Sequence, residues 1–204
     1  MLRTDRAELD DGPGEIAARP SRAEAEAAVR TLIRWIGDDP RREGLAATPA
    51  RVVRAYEEWF AGYGSDPEAY LQRTFGEAGG YDEAVLLRDI PVQSWCEHHM
   101  AAVRGVAHVA YLPRDRVVGI SKLVRLVDAY GRRLQIQERL TAQIADALDR
   151  ALQPRGVAVV VRATHECMAS RGVRAHGAVL VTRRLLGDYR DGQSRVEILA
   201  ALSP

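Results

Sequence analysis

Residues 84–112 read AVLLRDIPVQSWCEHHMAAVRGVAHVAYL. Two stretches, 84–92 and 103–112, are rich in Val, Ile and Leu and read as strands. The polar cluster Cys96-Glu97-His98-His99 falls at the bend between them. Downstream, a short strand at 117–120 runs into Ser121, which is placed to cap a helix from 122 to about 130. A longer helix over 136–152 puts Leu140, Ile144, Ala147 and Leu148 on one face. Two more strands follow, at 157–167 and 178–186. Hairpin, helix pair, hairpin predicts an α+β domain with helices on one face of an antiparallel sheet.

The residues before this block read as helical. Ser21-Arg22-Ala23-Glu24 is a capping box, followed by Val29, Leu32, Ile33 and Ile36 at helical spacing. Asp38-Asp39-Pro40 ends that helix, and Thr48-Pro49 starts another whose face is Val52, Val53, Tyr56 and Phe60. Gly62 and Gly64 close it, a short helix is expected near 67–73, and glycines 76, 79 and 80 mark a loop. The expected organisation is a flexible lead-in over 1–20, a helical region over 21–83 and the α+β domain over 84–204.

The 204 residues carry a formal net charge of +1, which calls for neither nucleic acid nor an anionic membrane. No apolar run approaches a membrane span, and the first twenty residues lack the apolar core of a signal peptide. The expected compartment is the cytoplasm, where two cysteines more readily bind metal than each other. A disulfide and two buried thiols are the alternatives.

Both cysteines and three of the five histidines sit in CEHH and in His165-Glu166-Cys167. Cys96, His99 and Cys167 are a ligand set suited to Zn2+ with a fourth position left open, the pattern of catalytic rather than structural zinc. In an extended chain His165 and Cys167 face one pocket, while the adjacent His98 and His99 diverge. His98 and His165 are then spare imidazoles able to move protons near neutral pH. A structural zinc with one of them as fourth ligand is the other reading.

Two further stretches bear on substrate. In Gly119-Ile120-Ser121-Lys122-Leu123-Val124-Arg125, Lys122 and Arg125 share a face near a helix start, where cations are out of place unless an anion lies between them and the backbone. Arg51 and Arg54 repeat the spacing, and Arg171 follows the second cluster. In Gln135-Ile136-Gln137-Glu138-Arg139, a carboxylate could accept a forked pair from a guanine edge, although a Glu in a first turn is ordinarily only dipole stabilisation.

Taken together, TPAR at 48–51, CEHH at 96–99, GISK at 119–122 with Arg125, QIQERLT at 135–141 and HECMASRG at 165–172 resemble the GTP cyclohydrolase I family, in order and over nearly the whole chain from about residue 21. The resemblance implies a T-fold subunit in a toroidal homodecamer, with active sites at subunit boundaries. It implies conversion of GTP and water to 7,8-dihydroneopterin triphosphate and formate, the entry step to folate and other pterins. By motif, Cys96, His99 and Cys167 are expected to hold zinc, and His98 and His165 to be the acid–base pair. Gln137 and Glu138 are expected at the purine edge. Ser121, Lys122, Arg125 and Arg171 are expected at triphosphate and ribose, joined by Arg51 and Arg54 of a neighbouring subunit. The Cys/His/Cys set disfavours other pterin and deazapurine enzymes of the fold. A non-catalytic, zinc-stabilised nucleotide-binding protein is the alternative. Residues 177–181 (GAVLV) depart from the Ser and Thr usual in the family's last strand, and His176 and the tail from Asp188 are also less typical.

Overall fold

The computed structural model describes residues 19–76 and 81–203. The rest of the predicted lead-in, residues 1–18, and the loop glycines 79 and 80 lie outside them. The described chain divides into two compact units, one ending at Ala55 and one beginning at Tyr56.

The first unit holds helix α1 (Arg22–Trp35) and most of α2 (Thr48–Trp59). The capping box forms as the spacing requires: Ser21 Oγ accepts from the Glu24 amide, and the Glu24 carboxylate accepts from the Ser21 N–H at 2.8 Å. A division at residue 83 follows element type. By compactness, the end of α2 and the two 3-10 turns after it (Ala61–Gly64 and Glu68–Leu71) belong with the sheet. The reason is packing: Trp59 stacks on Trp95 and Phe60 meets it tilted, with ring centroids 5.6 and 5.1 Å apart, and Leu71 is fully buried in the core. Gly62 is obligatory there, because an added Cβ would lie 2.2 Å from the Ala129 carbonyl oxygen.

In the second unit, β2 (Val85–Cys96), β3 (Ala102–Leu112), β6 (Gly156–His165) and β7 (Leu180–Gly187) form an antiparallel meander of sheet neighbours, and β5 (Leu134–Gln135) joins the outer edge of β2. The β5 pairing is parallel, Trp95 with Leu134 and Cys96 with Gln135, so the sheet is mixed rather than purely antiparallel. A separate two-stranded ribbon pairs β1 (Thr74–Phe75) with β4 (Val117–Val118). Helices α3 (Ile120–Gly131) and α4 (Gln137–Leu152) bury Leu123, Leu126, Leu140, Ile144 and Leu148 against Val109, Tyr111, Val157 and Val159.

The prediction that helices cover one face needs correction. The C-terminal helix α6 (Gly192–Leu202) packs Ile198 and Leu202 on Ala110, Ala158 and Val160, whose side chains point away from α3 and α4. A second correction concerns the strand expected over 157–167. It ends at His165, and Cys167 lies in a short helical turn, α5 (Glu166–Ala169).

Candidate active site

The CEHH turn is a tight reversal closing the β2–β3 hairpin. The Met100 amide donates to the Cys96 carbonyl at 2.8 Å, the Cys96 amide donates to Ala101 O at 2.9 Å, and Met100 takes a left-handed φ of 53°. The Glu97 amide donates to Gln135 O at 3.1 Å, tying the turn to β5. Across β3, the register places His165 opposite Val103, and the α5 turn then carries Cys167 back against Cys96, Val103 and Ala163. Strand parity therefore accounts for His165 but not for Cys167, which a helical turn delivers.

The donor atoms of Cys96, His99 and Cys167 all lie within 4.8 Å of one another, and among the described residues no fourth Cys, His, Asp or Glu joins them. The chemistry of this donor set suits a divalent cation. Arg171 Nη1 lies 3.1 Å from His99 Nε2, and a guanidinium only donates, so Nε2 accepts. Nδ1 then carries the proton and faces Cys96 Sγ at 3.7 Å. Burial, followed by the hydrogen bond and charge of Cys96, pushes the Cys167 thiol up. Two thiols and an imidazole crowded together are donors that a divalent cation binds as two thiolates and a neutral imidazole, the thiol protons being lost, so the residues fit zinc.

Of the two spare imidazoles, His98 is the open one. Its side chain is 66% exposed, and its Nδ1 is 3.8 Å from Cys96 Sγ. His165 is half-buried and its Nε2 lies 2.9 Å from Gln137 Oε1. Burial lowers its pKa from the ordinary histidine value, and the Glu138 carboxylate opposes that shift.

Gln137 does not stand where the purine-edge expectation put it. It is 3% exposed, and its side chain is committed inside the chain to His165 and to acceptors on β6 and β7. Glu138, the next residue, is exposed and makes no hydrogen bond among the described residues, so it is the side chain of the pair left free for a ligand. Sequence reasoning also passed over Glu97, Gln135 and Arg139. Arg139 pairs with Glu97 and donates through Nε to Gln135 Oε1 at 3.2 Å, while Gln135 Nε2 donates to Gln143 Oε1 at 2.8 Å. The CEHH turn is thereby fastened to the start of α4. The signal was the run of polar residues in QIQER, read for ligands rather than for internal partners.

At α3 the cap is Gly119, not Ser121. Gly119 has extended backbone, its carbonyl accepts from the Lys122 amide at 2.8 Å, and no side chain caps the helix. Ser121 lies in the first turn with its hydroxyl uncommitted. With Lys122 and Arg125, which have no ion pair among the described residues, it surrounds a helix N-terminus whose orphan amides are unanswered by any side chain. Arg51 and Arg54 stand exposed on the part of α2 that belongs to the first unit.

Comparison with known proteins adds the following. A family model described as GTP cyclohydrolase I matches residues 25–203. The chain is similar to the "GTP cyclohydrolase 1" of Maricaulis maris, at 57% identity over 86% of both chains. It is 55% identical to those of Brucella canis and Brucella abortus, over 86% of this chain and 83% of each relative. Among solved structures, an archaeosine synthase QueF-Like in the apo form aligns with 51% of this chain and 93% of that one, at 22% identity and a TM-score of 0.43, a likeness too slight to carry an argument.

Proposed function

The chain belongs to the GTP cyclohydrolase I family, and from that premise we propose how its side chains divide the work of converting GTP and water to 7,8-dihydroneopterin triphosphate and formate. The observation that supports the division is the convergence, at one end of the sheet, of the Cys96/His99/Cys167 donor set with His98 and His165.

Cys96, His99 and Cys167 would hold zinc, which would supply Lewis acidity to activate water. Glu138 accepts the N1–H and exocyclic amine of guanine, orienting the purine with its imidazole ring toward the metal group. His165 exchanges a proton with that ring as C8 is hydrolysed and leaves as formate, and His98, on the exposed side, is the second acid–base group. Ser121, Lys122 and Arg125 take the triphosphate at the open start of α3, and Arg171 joins them at triphosphate and ribose. Arg51 and Arg54 contribute from a neighbouring copy. The subunit is of the T-fold type, and the assembly is a homodecamer of two pentamers acting in the cytoplasm.

The test is to incubate the purified, zinc-loaded protein with GTP and assay formate and, after oxidation, fluorescent neopterin. Absence of both products would sink the reading, and a non-catalytic nucleotide-binding role would replace it. His165→Ala should keep stoichiometric zinc and lose about 10²- to 10⁴-fold in kcat, the ordinary contribution of a positioned acid or base. Cys167→Ala should lose the zinc itself; equal metal content in this variant and the wild type would remove Cys167 from the ligand set.

A further inference from the structure

The hydrogen bonds behind His165 have only one consistent direction. Gln137 Nε2 lies 3.1 Å from each of three acceptors, Val161 O, Leu180 O and Thr182 Oγ1. Two of these are carbonyls, which cannot donate, so a flipped amide would set Oε1 against oxygen lone pairs and is ruled out. The third is oriented by its own neighbours. Thr141 Oγ1 donates to the Gln137 carbonyl at 2.8 Å, which spends its single proton. The contact of 2.6 Å between the Thr141 and Thr182 hydroxyls therefore runs from Thr182 to Thr141, and leaves Thr182 Oγ1 a lone pair for Gln137. With its N–H groups spent on β6 and β7, Gln137 can offer His165 only Oε1, an acceptor, at 2.9 Å from Nε2. Gln137 and Thr141 are 3% and 1% exposed, so water does not compete for these groups.

We propose that Gln137 is a positioning residue that fixes His165 as the Nε2–H tautomer and thereby makes Nδ1 the nitrogen that exchanges a proton with substrate. Thr182 and Thr141 hold the amide in that sense. The inference rests on the acid–base role of His165. It replaces a purine-edge role for the Gln137 side chain with one exercised through the imidazole. A neutral histidine whose proton can sit on either nitrogen presents the wrong one part of the time. An acceptor fixed behind Nε2 removes that loss, and keeps the ring plane constant while the proton moves at the far side.

Two measurements test this. In zinc-loaded wild-type protein labelled with 15N-histidine, the long-range proton–nitrogen spectrum should show His165 with Nε2 protonated and Nδ1 bare, its signals identified by their loss in His165→Ala. A protonated Nδ1 with bare Nε2 overturns the proposal, whatever any variant does. In the second, Gln137→Leu should retain zinc and hold its KM for GTP within about threefold while kcat falls by about 10²-fold or more. Thr182→Val should lower kcat by about two- to tenfold, the size of one net hydrogen bond, and Thr182→Ser should restore it. A raised KM with kcat near wild type would return Gln137 to the substrate, and unchanged kcat and KM with only a lower Tm would make it a structural residue. Either result overturns the proposal. Formate release by the wild type in the same assay separates these failures from failure of the overall functional reading.

Discussion

His108 is one of two histidines, with His176, that the chemistry leaves unused, and its buried surroundings give it a different consequence. It lies on β3, 1% exposed, where β2 shifts register between Leu87 and Ile90. Asp89, at a left-handed φ of 57°, turns its amide to donate to His108 Nδ1 at 3.2 Å. Nε2 has no partner among the described residues. Burial lowers the pKa of this imidazole; the Asp89 carboxylate opposes the shift, and the charges of Arg88 and Arg162 add to it. The sign follows from proton binding. Between the lowered folded value and the ordinary value of about 6.5, the unfolded chain holds more protons, so stability is full above about pH 6.5 and declines as pH falls toward the folded pKa. His108→Asn keeps an acceptor for the Asp89 amide without titrating. Its Tm should vary less than that of the wild type between about pH 7.5 and about pH 5, and equal slopes would show that another group is responsible. At this scale the Cys96/His99/Cys167 group was legible because Cys and His are scarce and clustered, whereas the inward turn of Gln137 was not, since Thr182 lies 45 residues away.

At the scale of elements, the open start of α3 makes the clearest prediction. Lys122→Ala should weaken GTP by about tenfold to a hundredfold, the range for a hydrogen bond to a charged group, and leave guanosine nearly unchanged. Equilibrium binding in a His165→Ala background, where turnover does not interfere, measures both; equal losses would take Lys122 away from the phosphates. Helix α1 was legible from its capping box and apolar spacing, and α4 from apolar spacing alone, both of which are local. Two elements were misjudged for identifiable reasons. HEC at 165–167 satisfies strand parity and a helical turn alike, and only packing of Cys167 on Cys96 and Val103 decides between them. The C-terminal helix buries only Ile198 and Leu202, too thin a stripe to stand out in the sequence.

For the whole molecule, the sheet order leaves two edges. β7 pairs with β6 alone, and β2 over Val85–Ser94 pairs only with β3 among the described residues. Leu180 and Val181, near 39% and 38% exposed, extend the apolar surface of the β7 edge. Unpaired edges of this kind invite another chain, and two edges of one sheet suit head-to-tail association into a closed ring. Specific activity should therefore fall on dilution, in step with the appearance of smaller species in sedimentation. Activity per chain that stays constant while the assembly dissociates would place the whole site within one copy. None of this was legible in the sequence except through the family resemblance, because an edge is defined by what does not pair with it.

The threonine pair behind Gln137 also sets an order of failure. Two of the three acceptors that orient the amide, Leu180 O and Thr182 Oγ1, belong to β7, which within one copy is held by β6 alone, and a strand held on one side opens at lower free energy than a core such as that around Leu148 and Val159 once any neighbouring copy has left it. When β7 frays, the amide is free to rotate and His165 loses its fixed proton while the hydrophobic interior is still intact. Mild warming or denaturant would then silence the enzyme well before it melts, with inactivation reporting the loosening of a single strand.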